Sequence, residues 1–307
     1  MGEPLLEFNA QPGHSLRTSP GYRSGFGGDT SNAAIAAARQ GVPVSYLTRV
    51  GDDAFGDAFV DLWGTEGVGV DDVVREPGGR TGIYFISRDP EHSSFTYYRN
   101  DSPASRLSPA DIPEETVSAA RAFHTSGITQ AISESACEAA FFAIDVARRA
   151  GVLVSYDPNH RRALWSDERA RTVIEASLAN CDVALPNLDE GRWLTGEDQP
   201  RRVLAALVEY GPQIVVLKLG DAGALLAWRG EVHEISAHRV TPVDSTGAGD
   251  TFDGAFLAQL VRGNSPTDAA GYAAVAAALA TQGHGAVAPI PHESDVRAAR
   301  SPASSET

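Results

Sequence analysis

The amino-acid sequence predicts an α/β protein with a doubly wound, mainly parallel sheet flanked by helices, and with a small β-sheet appendage. Three observations lead to this prediction. Strand-like and helical runs alternate from about residue 121 onwards, polar and glycine-rich residues follow the strand-like runs, and two β-rich runs near 81–100 break the alternation. Alternating strands and helices pair in parallel through right-handed crossovers. The two early β-rich runs are therefore assigned to the appendage.

The first third of the chain predicts a strand, a helix and a hairpin. Residues 41–51 (GVPVSYLTRVG) have strand character, and residues 53–63 have helical spacing. Residues 81–89 and 93–100 are β-rich and flank a turn that contains Pro90, which predicts a hairpin.

The rest of the chain predicts the regular α/β series. The predicted strands are 121–128, 152–159, 183–187 and 214–220, and the predicted helices are 134–150, 167–180, 201–210 and two that begin near Thr251 and Thr267. Residues 223–228 and 231–235 predict a second hairpin. The polar residues from about Arg300 onwards predict a disordered tail.

Composition restricts the class of protein. With 307 residues and 42% hydrophobic content, the chain can bury one large α/β core or two modest ones. A formal net charge of -15 argues against a nucleic-acid partner, because no basic surface would neutralise the phosphates. Two cysteines are too few for a disulfide framework, and no signal-peptide or membrane-spanning pattern is present, so we expect a cytoplasmic protein without a membrane partner.

Lysine is almost absent. Lys218 is the only lysine, so every other Lys or Arg position is arginine, on an acidic background. This bias is consistent either with GC-rich coding or with adaptation to a salt-rich cytoplasm. A melting temperature that stayed flat or fell with KCl would argue against salt adaptation.

Polar residues collect where the predicted strands end. Ligands of open α/β sheets bind outside the carboxyl ends of the strands. The segments at these ends are 27–32, 157–161, 186–190, 218–220 and 244–250, and they are rich in Gly, Asn, Asp and Arg. This set favours a site for a phosphorylated ligand.

The stretch VDSTGAGDTFDGAFL (243–257) is the most informative of these segments. Gly247 and Gly249 permit a tight turn, which leaves the amides of residues 247–250 free at the start of a helix. Such amides bind anions. Asp250 is either a helix cap or a carboxylate placed to accept a proton beside the anion, as phosphoryl transfer requires. The chain contains no G-x-x-x-x-G-K-[ST] motif, so this is not a Walker-type loop.

Two motifs carry a resemblance to a known family. Asp244-Ser-Thr-Gly-Ala-Gly-Asp250 resembles the C-terminal signature of the ribokinase-like PfkB family of carbohydrate kinases, and residues 27–41 (GGDTSNAAIAAARQG) resemble its sugar-binding signature. Asn187 and Glu190 match the family's N-x-x-E motif. More narrowly, GEPLLEFN, TGIYFI, YYRNDSPASRLSP, TSGITQAIS and NHRRALWS are similar to 2-keto-3-deoxygluconate kinases. The similarity spans nearly the whole chain.

The resemblance implies a fold and a reaction. The fold would be a ribokinase-like kinase domain over residues 1–299, with a β-sheet lid from about 8–26 and 80–101 and a tail at 300–307. The reaction would transfer the γ-phosphoryl group of ATP, with Mg²⁺, to the 6-hydroxyl of 2-keto-3-deoxygluconate or its galactonate epimer. A fructokinase or ribokinase, or a non-catalytic sugar or nucleotide sensor, is the alternative. Relatives often pair through their lids, so a homo-oligomer is expected.

The resemblance also implies roles for particular residues. The catalytic set is Asp250 as the base with Gly247, Ala248, Gly249 and Arg161, and the sugar site adds Gly28, Asn32, Tyr84, Tyr97 and Arg99. The nucleotide site comprises Asn159, Asn187, Lys218, Gly220, Gly223, Gly247 and Gly249. The magnesium would be ordered by Asn187 and, through water, by Glu190. Each role has a structural alternative. The two tyrosines suit ordinary sheet packing, the two arginines suit solvated surface positions, and Lys218 in a strand suits a structural role.

The choice of an acidic sugar rests on charge. A neutral ketose needs hydroxyl partners only, whereas a 2-keto acid brings a carboxylate that should meet a guanidinium or several donors. Arg99, Tyr84 and Tyr97 on one hairpin would provide both.

The N-terminus departs from the family pattern. Relatives have a short apolar strand before the Gly-Glu pair, whereas Met1 directly precedes Gly2 and Glu3 here. We expect either an earlier start of the natural chain or a central sheet that lacks one strand.

Overall fold

The computed structural model describes residues 1–89 and 94–301. Within these residues the strands are β1 (Leu5–Ala10), β2 (Tyr22–Gly27), β3 (Val44–Ser45), β4 (Thr48–Gly51), β5 (Val68–Gly69), β6 (Val73–Glu76), β7 (Ile83–Ser87), β8 (Ser94–Tyr98), β9 (Ala122–Ser126), β10 (Leu153–Asp157), β11 (Val183–Ala184), β12 (Ile214–Lys218), β13 (Ala224–Trp228) and β14 (Glu231–Ile235). The helices are α1 (Asp29–Arg39), α2 (Ala54–Thr65), α3 (Glu114–Ala119), α4 (Gly127–Ala131), α5 (Glu134–Arg149), α6 (Asp167–Leu178), α7 (Leu188–Thr195), α8 (Pro200–Val208), α9 (Ala248–Val261), α10 (Pro266–Ala280) and α11 (Glu293–Arg300).

A six-stranded sheet forms the centre of the molecule, in the order β14-β13-β12-β11-β10-β9. Strands β9 to β12 are parallel, and β13 runs antiparallel to both β12 and β14. The predicted doubly wound, mainly parallel sheet is therefore confirmed. The second predicted hairpin is also present and adds the antiparallel end of this sheet.

The sheet is covered on both faces. In β12, Val215 and Leu217 pack into one hydrophobic core, while Ile214 and Val216 pack into another. This alternation follows from the two-residue period of a strand. The first core includes residues of α5, α6 and α8, and the second includes residues of α9 and α10. Burial on both faces explains the continuous apolar run from Ile214 to Leu217 in β12.

A second, four-stranded sheet has the order β2-β1-β7-β8 and contains strands from both segments predicted to form a lid, so it is referred to below as the lid sheet or lid. The β7–β8 pair is antiparallel, which confirms the predicted hairpin. The turn that contains Pro90 lies outside the described residues. The predicted tail also lies outside them from residue 302 onwards, whereas α11 extends as far as Arg300.

One prediction of local structure is wrong, and several helices were not predicted. The single strand predicted at 41–51 is two short strands, β3 and β4, which pair separately with β5 and β6. Tyr46 and Leu47 between them are both buried, and the Tyr46 ring packs 4.8 Å from that of Trp63, so the chain changes direction there to fill the core. Helix α7 was not predicted, although its capping box is formed by the N-x-x-E motif itself.

The first two residues bridge two parts of the fold. The amino group of Met1 donates to the backbone oxygen of His124 in β9 (2.9 Å), and Gly2 N donates to that of Leu47 (3.3 Å). These contacts link the central sheet to the segment before β4. No helix within the described residues is long and apolar enough to cross a membrane.

Candidate active site

The site is organised by the crossing of α1 and α9. A Cβ at Gly254 would overlap the backbone oxygen of Ala33, so glycine is required for this close approach. The crossing brings Asn32, which is 3% exposed, next to the start of α9. There Asn32 Nδ2 donates a 2.8 Å hydrogen bond to Asp250 Oδ2. The two signature motifs therefore meet at one carboxylate.

The start of α9 leaves backbone amides available. Gly247 is the N-cap at φ 75°, and no side chain caps the helix. Ala248 N donates to Ser245 O (3.2 Å), whereas the amides of Gly249 and Asp250 have no acceptor among residues 1–89 and 94–301. The helix-cap explanation of Asp250 does not apply, because its side chain is engaged by Asn32 instead. Free amides at a helix N-terminus form an anion site.

Asp250 has the electrostatics of a general base. Burial, with the negative charge of Asp29 as the next largest cause, raises the pKa of Asp250 to about 7. A base is most effective when its pKa lies near the working pH. Carboxylates with such shifts are typical of functional sites.

Lys218 lies next to the turn formed by Gly247, Ala248 and Gly249, referred to below as the GAG turn. Its Nζ donates to Asp157 Oδ2 (3.0 Å) and to Asp253 Oδ1 (2.9 Å), and it lies 3.7 Å from where a Cβ of Gly249 would stand. Burial alone would lower the pKa of Lys218, but the two aspartates hold it above its ordinary value. The ammonium group therefore joins β10, β12 and α9 as a permanent cation beside the amides.

Asn187 and Glu190 form the N-terminal cap of α7. Asn187 Oδ1 accepts from Glu190 N (2.9 Å), and the Glu190 carboxylate accepts from the backbone amides of Asn187 (3.0 Å) and His160 (3.1 Å). Burial and the nearby charge of Asp157 raise the pKa of Glu190 to about 7. A cation close to this carboxylate would favour its ionised form.

These residues fit a water-mediated magnesium site. No group of three or more His, Cys, Asp or Glu side chains placed to hold a metal ion occurs in the described part of the chain. Mg²⁺ usually keeps several waters and takes one or two carboxylates together with substrate phosphates. Glu190 has the oxygen ligands that such an ion uses, and each carboxylate oxygen keeps a lone pair beyond the bond that it accepts.

The predicted sugar-site residues Tyr84, Tyr97 and Arg99 lie in or next to the lid sheet. Tyr84 is a buried residue of β7, its hydroxyl donates to Glu7, and a Cβ at Gly27 would lie 2.5 Å from that hydroxyl. Tyr97 stacks on Tyr84 with ring centroids 5.5 Å apart and is 46% exposed. Arg99 forms an ion pair with the buried Glu3, which also accepts from Ser102 Oγ (2.5 Å).

Comparison with known proteins agrees with this geometry. Residues 6–293 match the pfkB family carbohydrate kinases. The chain belongs to the PfkB family of carbohydrate kinases. It is therefore a sugar kinase.

Individual PfkB relatives differ in their named substrates. A 2-dehydro-3-deoxygluconokinase of Thermoproteus tenax is 36% identical over 302 residues, which are 96% of this chain and 92% of that protein. A fructokinase-1 of Oryza sativa subsp. japonica is 33% identical and covers 96% of this chain and 94% of its own length. The structure of a putative ribokinase II from E. coli in complex with ATP and Mg²⁺ has a TM-score of 0.90 at 26% identity, covering 97% of this chain and 96% of that one. The ribokinase-like fold is thus confirmed.

Among the residues predicted for the PfkB site, Asn32 bonds to Asp250, and Asn187 forms a backbone bridge with Lys218. Gly28, at φ 101°, packs against the backbone of Glu3, and Asn159 Nδ2 donates to Asp29 Oδ2 (2.9 Å). Lys218 continues directly into the turn of Gly220 and Gly223, both at positive φ. In Gly223 a Cβ would overlap the backbone oxygen of Ile235, so only glycine fits there.

Two predicted arginines lie in different environments. Arg161 is exposed, and its Nη1 donates to the backbone oxygen of His160 (3.2 Å). The charge of Arg161 slightly lowers the pKa of the Glu190 carboxyl, against the larger upward effect of burial. Arg99 is nearly buried and is neutralised by Glu3. The lid therefore holds Arg99 in a fixed orientation, whereas Arg161 remains accessible from solvent.

Three carboxylates of the site received no role from the sequence. Asp29 raises the pKa of Asp250, Asp253 holds Lys218, and Glu7 accepts from Tyr84. Glu7 and Asp253 are each 1% exposed. The sequence did contain a signal, because each of these two acids stands within a mainly apolar strand or helix, and buried charges are rare unless they are paired.

Proposed function

We propose that this PfkB sugar kinase transfers the γ-phosphoryl group of ATP to the 6-hydroxyl of 2-keto-3-deoxygluconate. The observation that carries the proposal is the position of Asp250, held by Asn32 beside the uncapped amides of α9. A proton acceptor next to an anion site is the arrangement that phosphoryl transfer to an alcohol needs.

In the proposed step, every bond formed or broken and the transferred proton are accounted for. The 6-hydroxyl oxygen forms a bond to the γ-phosphorus, the bond from that phosphorus to the β-phosphate oxygen breaks, and ADP leaves with the bonding electrons. Asp250 takes the hydroxyl proton. The amides of Gly247 and Gly249 stabilise the charge on the transferring group, whereas the amide of Ala248 is already bonded to Ser245 O, and the exposed Arg161 reaches the space between sugar and phosphate.

The surrounding residues are proposed to bind the nucleotide and its metal. Asn159, Asn187, Lys218, Gly220 and Gly223 line the nucleotide site, next to the turn after β12. Mg²⁺, when bound, would neutralise phosphate charge. Glu190 would hold it through water, with Asn187 beside it.

The acidic sugar is favoured by the lid. Arg99 has five N–H donors, and Glu3 can accept only some of them, so donors remain for a substrate carboxylate. The ring of Tyr97 lies 5.8 Å from the Arg99 guanidinium carbon and is accessible. Similarity to the T. tenax enzyme over most of both chains gives further support. The galactonate epimer differs at one stereocentre and remains within the proposal.

A fructokinase is the second candidate. The rice fructokinase is similar over nearly the same length, and Glu3 leaves the Arg99 pair without net charge, which suits a neutral sugar. The discriminating experiment is a coupled ADP-release assay with both keto-deoxy acids, fructose and ribose at matched concentrations. We expect the highest kcat/KM with a keto-deoxy acid. A higher value with fructose or ribose would overturn the substrate proposal but leave the sugar kinase intact.

We also propose a cellular location and an oligomeric state for the enzyme. Cys137 and Cys181 are free and buried, which agrees with a cytoplasmic enzyme.

All residues of β8, the outer strand of the lid sheet, are exposed, including Phe95 and Tyr98. An exposed aromatic edge strand favours pairing with a second copy, so we propose a homo-oligomer. Light scattering that gave the mass of a single chain would contradict this.

A further inference from the structure

A continuous chain of polar contacts connects the lid to the loop that precedes the GAG turn. It begins at the Tyr84 hydroxyl, which donates to Glu7, and Glu7 also accepts from the Asn9 side chain. Asn9 Oδ1 accepts from Arg88 Nε (3.0 Å) and Nη2 (2.8 Å). Arg88 Nη2 then contacts Asp244 Oδ2 at 3.3 Å. The contact between Arg88 and Asp244 is the step that crosses from the lid to the body.

The lid end of this chain is buried at the sugar side of the site. Glu7 and Asn9 are two residues apart in β1, so their side chains share one face of the strand. Glu7 lies opposite Tyr84 in the parallel register of β1 and β7. The Tyr84 hydroxyl in turn lies against Gly27, next to the sugar-binding signature. A displacement of Tyr84 would therefore be transmitted through Glu7 and Asn9 to Arg88.

At its other end, this series of polar contacts shapes the loop that precedes the GAG turn. Asp244 Oδ1 accepts from Thr246 N (3.0 Å) and Thr246 Oγ1 (2.6 Å), and Oδ2 accepts from Gly285 N (3.2 Å). Thr246 is followed by Gly247, whose positive φ begins α9. Asp244 thus fixes the turn that exposes the amides. The contact from Arg88 attaches this turn to the lid.

We propose that Arg88 is a positioning residue that aligns the amides of 247–250 with the sugar held under the lid. The inference rests on the proposed phosphoryl-transfer site and extends it to a residue outside the signature motifs. Arg88 acts through Asp244 and does not touch the reacting atoms. Because a misplacement of about 1 Å can lower a rate about 100-fold, the contact matters for turnover more than for folding.

A structural role predicts a different result from a positioning role. The Arg88 side chain is 32% exposed and that of Asp244 is 8% exposed, but Asp244 keeps the donors Thr246 N and Gly285 N when Arg88 is removed, so the loss of the contact should change stability little. Arg75 provides a control matched in the exposure of the arginine, since its side chain is also 32% exposed and pairs with aspartates, Asp52 and Asp57, although these are more exposed than Asp244. It lies in β6, outside the polar chain from Tyr84 to Asp244.

The test compares Arg88→Met, Arg88→Lys and Arg75→Met in the full chain, with the sugar that the wild type uses best. We expect Arg88→Met to lower kcat by about tenfold or more, with little change in melting temperature or in KM for the sugar. Arg88→Lys should recover part of the loss by restoring the charge next to Asp244, and Arg75→Met should match the wild type. A kcat of Arg88→Met within about twofold of the wild type would overturn the inference.

A second variant covers the case in which Arg88→Met unfolds. Asn9→Ser removes the acceptor that orients the guanidinium and leaves both Arg88 and Asp244 in place. It should reduce kcat in the same direction by a smaller factor, and an unchanged kcat would again overturn the inference. A wild type without activity on any sugar would instead refute the proposed function, so the two failures are distinguishable.

Discussion

Asn32 Nδ2 donates a 2.8 Å hydrogen bond to Asp250 Oδ2, although the two residues are 218 positions apart in the chain. The bond depends on the close crossing of α1 and α9, which Gly254 permits. It orients the carboxylate beside amides that no side chain caps. Sugar recognition and phosphoryl transfer would therefore share one fixed group.

The pH dependence of activity follows from this carboxylate. Burial and the charge of Asp29 raise the pKa of Asp250 to about 7, and a base acts only when ionised. We expect kcat/KM to rise with pH, with a midpoint near 7, when it is measured from about pH 5.5 to about pH 9. A flat profile would contradict the assignment of Asp250 as the base.

The same profile can be shifted by one substitution. Asp29→Asn removes the negative neighbour and keeps an oxygen that can accept from Asn159 Nδ2. The midpoint should move to lower pH, towards the ordinary value of an aspartate. Asp57→Asn, at an exposed position in α2, is the control and should leave the midpoint in place. This comparison assigns the titration to Asp250 and separates it from Glu190, whose pKa is also about 7.

Stability should change with pH in the opposite sense to activity. The folded pKa of Asp250 is about 7, above the ordinary value of 3.8, so folding takes up a proton between these values. The ionised carboxylate therefore costs stability as pH rises through 7. Asp250→Asn should melt at a higher temperature than the wild type at about pH 8 and at the same temperature near pH 4. A lower melting temperature at pH 8 would show that the carboxylate is needed structurally.

Lys218 is expected to stabilise the fold. Its side chain is 13% exposed and pairs with two buried aspartates, so Lys218→Met leaves charges without a cation. Breaking such a group typically costs about 3–5 kcal/mol, to be measured by urea unfolding. Removing one of those charges, in Lys218→Met with Asp253→Asn, should recover part of the loss. Arg201→Met, at an exposed ion pair with Glu234, should change stability by no more than about 1 kcal/mol. An equally small effect of Lys218→Met would contradict the structural role.

Local patterns were sufficient for the central sheet but not for every element. Strands β11 and β12 are buried almost throughout and are almost wholly apolar, so they stand out from the helices between them, whereas β9 and β10 also contain buried polar residues. The segment 41–51 looked equally strand-like, yet it divides because Tyr46 packs on Trp63. That contact depends on a residue of α2, and no pattern within the segment indicates it.

The site was partly predictable for a similar reason. The GAG turn and Asp250 are consecutive, so their chemistry is visible in one stretch of sequence. The partners of Lys218 lie 61 and 35 residues away, and those of Arg88 come from β1 and the loop before α9. Only the fold brings these groups together. Arg99 illustrates the same limit, because the sequence indicated its charge but not its neutralisation by Glu3.

The role of Arg99 can be tested without unfolding the lid. Arg99→Met alone would leave the buried Glu3 unpaired, so the useful variant also carries Glu3→Gln, and Glu3→Gln alone is its control. A hydrogen bond to a charged group contributes about 1.5–3 kcal/mol, which corresponds to about 10- to 140-fold in KM for the keto acid. KM for ATP should stay the same. An equal rise in both constants would contradict a role in binding the sugar carboxylate.

The most direct test of the phosphoryl-transfer site is the turnover of Asp250→Asn, measured by ADP release with the preferred sugar, beside its affinity for ATP measured by calorimetry. Turnover should fall by about 10²- to 10⁴-fold while ATP still binds, because the free amides of Gly247 and Gly249 and the Lys218 side chain are unchanged. A turnover close to that of the wild type would contradict the role of Asp250 as the base, since the proton would then leave the sugar by another route.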